Sequence, residues 1–187
     1  MADKARYHRQ LLARLGLLRF ARDDDGAAAV EFAFVIIPFL ILLFSIIELG
    51  LTFLVSITLE NALMTVDRRI RTGDMQATTS DQFRNAVCDQ MSWLSSSCAS
   101  SITLDVRVLP SFADTKDHLK QPTAQDICFD TGGPSSIMLV RGYYKWPLIT
   151  PLLQDAVAGS PGDRQVTFAA VFTNEPYSET PVPIKCQ

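Results

Sequence analysis

The sequence predicts an α+β protein in which one long N-terminal helix, including a transmembrane span, continues into a small exported head. An apolar run from Phe32 to Leu59 is long enough to cross a bilayer, which requires about 20 apolar residues. A basic segment precedes this run, and all four cysteines follow it. Further along, one helical pattern precedes three strand patterns, so we expect a helix packed on an antiparallel sheet of roughly three to four strands.

Residues 1–26 form a basic leader. Its positive charges are Lys4, Arg6, Arg9, Arg14, Arg19 and Arg22. Basic residues beside a membrane span favour the cytoplasmic side, so the leader is expected to stay inside and residues 72–187 to lie outside. A cleaved secretory signal has a shorter apolar core, about 7–15 residues, followed by a small-residue cleavage site that this chain does not offer. A single-pass membrane anchor is the better interpretation.

Residues 27–71 are predicted to form one helix, with the membrane span at about 31–57. Ala27 to Ala29 are strong helix formers, and Pro38 is tolerated inside a membrane helix. Arg68, Arg69 and Arg71 suit a helix C-terminus electrostatically, and Gly73 ends the helix. The helix is therefore expected to extend past the membrane into the exported head.

The exported segment 72–187 is predicted to form the α+β head. Residues 80–95 have helical spacing of apolar residues, and residues 95–101 are interpreted as a serine-rich turn. Residues 102–108 alternate between apolar and polar, which predicts a strand with one buried and one wet face. Residues 136–146 and 165–172 are the other two predicted strands.

The cysteines support an exported head. Cys88, Cys98, Cys128 and Cys186 all lie in the segment placed outside, where disulfides form and persist. Four cysteines allow three pairings, and the sequence alone does not choose among them. We favour Cys88–Cys98, which closes a short loop, with Cys128–Cys186, which holds the C-terminal end.

Composition and motifs exclude several classes of function. The net charge is only −3, and basic residues are not clustered in the C-terminal part, so no nucleic-acid partner is expected. The sequence contains no G-x-S-x-G, H-E-x-x-H or P-loop motif, and only two histidines. We therefore predict that the protein is not an enzyme, and we expect no metal, cofactor or small-molecule substrate.

Two carboxylates, Glu31 and Glu48, lie within the apolar run, where charges are costly and usually functional. Taken alone, Glu31 is explained by a side chain that reaches headgroup water. Glu48 has two equally good interpretations, which are a buried polar contact with a partner helix and a marker of the lipid–water boundary. About 25 Å of helix separates the two residues, so they cannot form a catalytic pair.

The junction from Gly26 to Phe32 resembles a type IV prepilin processing site. The glycine lies five residues before Glu31, and Phe32 follows directly. Together with Pro38 and the Ile47-Glu48-Leu49-Gly50 stretch, this segment resembles the TadE-like family, which comprises minor pseudopilins of the tight-adherence, or Flp-type pilus, secretion system. The resemblance is strong over about residues 26–71 and weaker over the head.

The resemblance implies that a prepilin peptidase removes residues 1–26 by cutting between Gly26 and Ala27. Glu31 is then the pilin-type glutamate, Phe32 belongs to the processing motif, and Ala27 becomes the mature N-terminus. The mature protein would support assembly or stability of an adhesive pilus together with another minor pseudopilin and further pilus assembly proteins. It would reside in the bacterial inner membrane with a periplasmic head, or become part of a surface pilus. The alternative is an unprocessed envelope anchor whose head binds another assembly component.

Overall fold

The computed structural model describes residues 24–75, 78–113, 126–150 and 163–178. The elements, in chain order, are α1 (Asp24–Arg71), α2 (Ser80–Gln90), a 3-10 turn (Ser92–Leu94), α3 (Ser95–Ser101), β1 (Ile102–Leu109), β2 (Ile137–Pro147) and β3 (Asp163–Thr173). The predicted α+β class, the long N-terminal helix and the antiparallel sheet are confirmed. The chain divides into two compact units, residues 1–46 and residues 47–187.

In the first unit, the described residues form the N-terminal half of α1. Its apolar side chains have no protein cover, as Phe32 shows with 65% of its surface exposed. Within the described residues, α1 is the one helix long and apolar enough to cross a membrane, with a mean hydropathy of 2.7 in its most apolar window. Pro38 lies inside the helix without ending it. A helix that is apolar on all sides is suited to lipid or to other apolar helices.

In the second unit, the rest of α1 packs on the sheet. Its buried residues recur every three or four positions and form one stripe, which consists of Val55, Leu59, Ala62, Leu63, Val66 and Ile70. Such spacing places the side chains on one face of a helix. The stripe meets β2 closely, because a Cβ atom added to Gly142 would collide with Leu63 Cδ1. The glycine therefore lets the helix approach the backbone of the central strand.

The sheet has the strand order β1-β2-β3, and both pairings are antiparallel. In its register, Val106 lies opposite Val140, which lies opposite Ala170. A short segment around Phe129 runs parallel to the outer edge of β1, with hydrogen bonds from Val106 N to Cys128 O and from Asp130 N to Val106 O. The edge of β1 is thus partly covered.

The prediction that one face of β1 is wet is wrong at its centre. Asp105 is fully buried, and its cross-strand neighbour Arg141 is 5% exposed. Alternation in sequence identifies two faces of a strand, but it does not reveal that the polar face is covered when its polar residues pair with each other.

The helical region after α1 also departs from the prediction in detail. The helix predicted over 80–95 ends at Gln90, and the serine-rich segment predicted as a turn forms α3. Ser92 has a φ of 51°, in the left-handed region, which interrupts the helix. Thr79 caps α2 by a reciprocal capping box with Gln82, which fixes the start of the helix at Ser80.

The close approach of α1 to β2 gives a test of this packing. We expect Gly142→Ala to destabilise the protein by about 1–3 kcal/mol, because the added methyl group forces Leu63 out of its position. Thermal unfolding of the detergent-solubilised full chain, followed by near-UV circular dichroism, measures the effect. Gly50→Ala is the matched control, since no atom lies within 4 Å of a Cβ there. Equal stability of the two variants would contradict the close contact.

Candidate functional site

The predicted processing junction lies in the first turns of α1. The helix begins at Asp24, so Gly26, Ala27, Glu31 and Phe32 are all helical. Ala27 and Glu31 are four residues apart, which places them on the same side of the helix one turn from each other. Glu31 is exposed, and within the described part of the chain it makes no ion pair. Its carboxylate is thus available to a group that arrives at the helix N-terminus.

The scissile bond predicted between Gly26 and Ala27 lies in the described part of α1. Gly26 weakens the helix at this bond, because glycine has a poor helix propensity.

Glu48 is part of the second unit and anchors a loop of the head. Its side chain is only 5% exposed. One carboxylate oxygen accepts a hydrogen bond from Ile149 N, and the other accepts one from Thr150 N at 2.8 Å. These two amides follow directly after β2 and have no strand partner. The Glu48 carboxylate therefore accepts the hydrogen bonds of two backbone N–H groups, as a neighbouring strand would. Neither sequence-based interpretation of Glu48 included this role.

The position of Glu48 bears on the extent of the membrane segment. The predicted span of about 31–57 includes Val55, which is fully buried in the core of the head. One face of residues 48–57 thus belongs to the head, so the part of α1 that is uncovered on all sides ends near Ile47. The helix from Gly26 to Ile47 is roughly 33 Å long at 1.5 Å per residue, which suffices for a hydrocarbon core of about 30 Å.

The disulfide between Cys88 and Cys98 connects α2 to α3. Their Cα atoms are 5.5 Å apart, within the usual range. The bridge closes the loop that contains the 3-10 turn, and the Trp93 ring packs edge-on against Trp146 at 5.8 Å between centroids. Cys128 is also disulfide-bonded. Its predicted partner, Cys186, lies outside the described residues, as do the leader up to residue 23 and His118.

A buried charge cluster lies on the sheet face opposite α1. Asp105 Oδ2 accepts hydrogen bonds from Arg141 Nη2 at 2.6 Å and from Arg107 Nε at 3.0 Å, while its Oδ1 accepts one from Cys128 N at 3.0 Å. Burial alone would raise the pKa of Asp105, but the hydrogen bonds from Arg107, Arg141 and the Cys128 amide lower it below its usual range. The cluster ties β1, β2 and the segment at Cys128 together.

Asp67 is also a buried carboxylate, but unlike Asp105 it lacks hydrogen-bond donors among the described residues and has a raised pKa. It lies on α1, exposes 6% of its surface, and neither of its oxygens has a hydrogen-bond partner among the described residues. Burial raises its pKa from 3.8 to about 7. Asp67 was not among the site residues predicted from the sequence. Asp67 is four residues after Leu63, so it lies on the same side of the helix as the buried stripe. This spacing could have predicted from the sequence that Asp67 is buried.

Among the described residues, no group of three or more His, Cys, Asp or Glu side chains could hold a metal ion. Glu31, Glu48, Asp67 and Asp105 each have a separate environment. The chemistry they offer is electrostatic attraction and hydrogen bonding.

The raised pKa of Asp67 leads to a stability prediction. The folded protein keeps a proton on Asp67 that the unfolded chain releases, so stability falls as the pH rises from about 4 to about 7, and the cost is fully present above pH 7. We expect Asp67→Asn to raise the free energy of unfolding by about 1–3 kcal/mol at pH 8 and by less than half of that amount at pH 5. Urea unfolding of the full chain at both pH values measures this.

Asp89→Asn is the control for Asp67, because Asp89 is exposed on α2. This change is expected to leave stability the same within about 0.5 kcal/mol at both pH values. A loss of stability at pH 8 in Asp67→Asn would contradict an unpaired carboxylate and indicate that the charge has a partner.

Comparison with known proteins supports the resemblance seen in the junction. The family model described as TadE-like protein matches residues 26–66. No curated protein and no solved structure matches the chain. The match starts at Gly26 and includes Glu31, Glu48 and most of the α1 stripe that packs on the sheet. Over this segment, the chain carries the TadE-like sequence signature, and the predicted family resemblance is confirmed.

Proposed function

We propose that the chain is a minor pseudopilin that a prepilin peptidase cuts after Gly26, and that it supports assembly or stability of a tight-adherence pilus. The observation that carries this proposal is the start of the TadE-like match at Gly26, the residue at which the sequence predicts processing. The tight-adherence context comes from the family. The site of the cut and the role in assembly are our inference.

The geometry of α1 supports a function for the new N-terminus. Removal of residues 1–26 leaves the Ala27 amine at the first position of an apolar helix, one turn from the exposed Glu31 carboxylate. A protonated amine and a carboxylate attract each other strongly where the dielectric constant is low. In an assembly, Glu31 of one subunit can pair with the amine of its own chain or of a neighbour, and thereby fix the register between helices.

The head supports an accessory role. It has its own core, built from α1, α2 and the sheet, whereas the family resemblance implies that the major pilin is little more than a helix. A subunit with such a head is suited to few positions in a thin filament. In this proposal the leader is cytoplasmic, the anchor is in the inner membrane and the head is periplasmic.

The role of Glu31 is tested by Glu31→Gln, which removes the charge and keeps the shape. We expect processing to continue, because the scissile bond is five residues away, while the yield of surface pili falls at least about tenfold, the effect of losing a contact worth about 1.4 kcal/mol. Immunoblotting for the processed form and quantification of sheared filaments measure the two effects separately.

Glu60→Gln serves as the control on the same helix, because Glu60 is partly exposed in the head segment of α1. It is expected to leave both processing and pilus yield unchanged. An unchanged pilus yield in Glu31→Gln would rule out the proposed amine–carboxylate pairing. Loss of processing and of pili together would favour a role for Glu31 in peptidase recognition.

A further inference from the structure

A groove runs between α1 and β3 within the second unit. Its walls include Met64, Asp67, Arg68 and Arg71 on the helix, Phe172 on the strand, and Glu175 after the strand. Its volume is about 660 Å³, in the range of sites that bind ligands or peptide side chains. The groove is open to the outside between α1 and β3, and no other described element covers it.

The unsatisfied carboxylate of Asp67 distinguishes this groove. The described chain has two other buried carboxylates, Glu48 and Asp105, and each is satisfied by donors of its own chain. Asp67 is buried to a similar degree, yet both of its oxygens are without a hydrogen bond. Buried polar groups in proteins are usually hydrogen-bonded, so the missing partner is expected to come from another molecule.

The nearby cations of the chain do not fill this role. Arg68 also lines the groove, but among the described residues it forms neither an ion pair nor a hydrogen bond with the Asp67 carboxylate. Arg71 is four residues away and within reach, but its Nε lies 3.7 Å from Glu175 Oε1 in a pair that is more than half exposed. The groove is therefore lined by two arginines of this chain, and neither satisfies the Asp67 carboxyl group among the described residues.

The strand that forms the other wall is an unprotected edge. Within the described residues, β3 is hydrogen-bonded only to β2, so its outer backbone groups between Gln165 and Thr173 have no strand partner. Natural edge strands are commonly protected by charged residues, proline or bulges. This stretch contains neither a charged residue nor proline. Such an edge is suited to accept an additional strand.

We propose that the groove is a docking site for an extended segment of a partner protein, which adds to β3 as a fourth strand and places an arginine or lysine side chain on Asp67. The backbone pairing supplies affinity for an extended chain, and the buried carboxylate selects the basic side chain. A segment without such a side chain would leave Asp67 unpaired and bind more weakly. The proposal concerns the head and does not depend on processing at Gly26.

Photo-crosslinking in the native cells tests this site in the full chain. The crosslinker p-benzoylphenylalanine replaces Met64, which lines the groove and is 52% exposed. The control position is Thr65, which is also exposed but lies outside the groove. Proteolysis and mass spectrometry then identify the partner segment that carries the adduct.

We expect an adduct from position 64, not from position 65, on a partner segment with an arginine or lysine within two residues. Adding Asp67→Asn should reduce this adduct at least about tenfold, because it removes one member of a buried charge pair. Asp67→Glu should retain a larger share of the adduct. Loss of the fold does not explain such a reduction, because Asp67→Asn is expected to stabilise the protein.

Three results would overturn the proposal. They are the absence of an adduct from position 64, an adduct whose yield does not depend on Asp67, and an adduct on a segment that has no basic residue near the crosslink.

Discussion

The N-terminal part of helix α1 has no protein around it, whereas its C-terminal part packs on the sheet, and the rest of the structure depends on this packing. Up to Ile46 its side chains are apolar on all sides and have no protein cover. From Glu48 onward, one face is buried against the sheet while the other remains exposed. The head therefore has no independent N-terminal helix, and the closest packing of α1 on β2 is made possible by the missing side chain of Gly142.

The carboxylates along the chain differ in what surrounds them, and this difference separates structural from functional groups. Glu48 is satisfied by two amides after β2, and Asp105 by two arginines and an amide, so both hold the head together. Glu31 is exposed at the start of an apolar helix, and Asp67 is buried without a donor. Within the described residues, neither Glu31 nor Asp67 has an ion-pair or hydrogen-bond partner from a side chain. Each proposed interaction therefore supplies such a partner, which is the new N-terminal amine for Glu31 and a basic side chain of another protein for Asp67.

The sequence predicted most elements of the fold. The apolar run and its continuation predicted α1, alternating residues predicted β1, and the segments predicted as the other two strands correspond to β2 and β3 within a few positions. The prediction failed where contacts between distant residues decide the outcome. The burial of Asp105 depends on Arg141, which is 36 residues away along the chain. The role of Glu48 depends on Ile149, which is 101 residues away. The helix α3 forms in a serine-rich segment that has a weak intrinsic preference for helix.

The family signature and the first turn of α1 together lead to one central claim, which is that the mature protein begins at Ala27. The direct test is the intact mass and N-terminal sequence of the membrane-extracted protein, from cells with and without the prepilin peptidase. A chain that begins at Ala27 only when the peptidase is present is the expected result. A chain that keeps residues 1–26 in both cell types would contradict the claim and leave an unprocessed membrane anchor, whose function would then reside in the head.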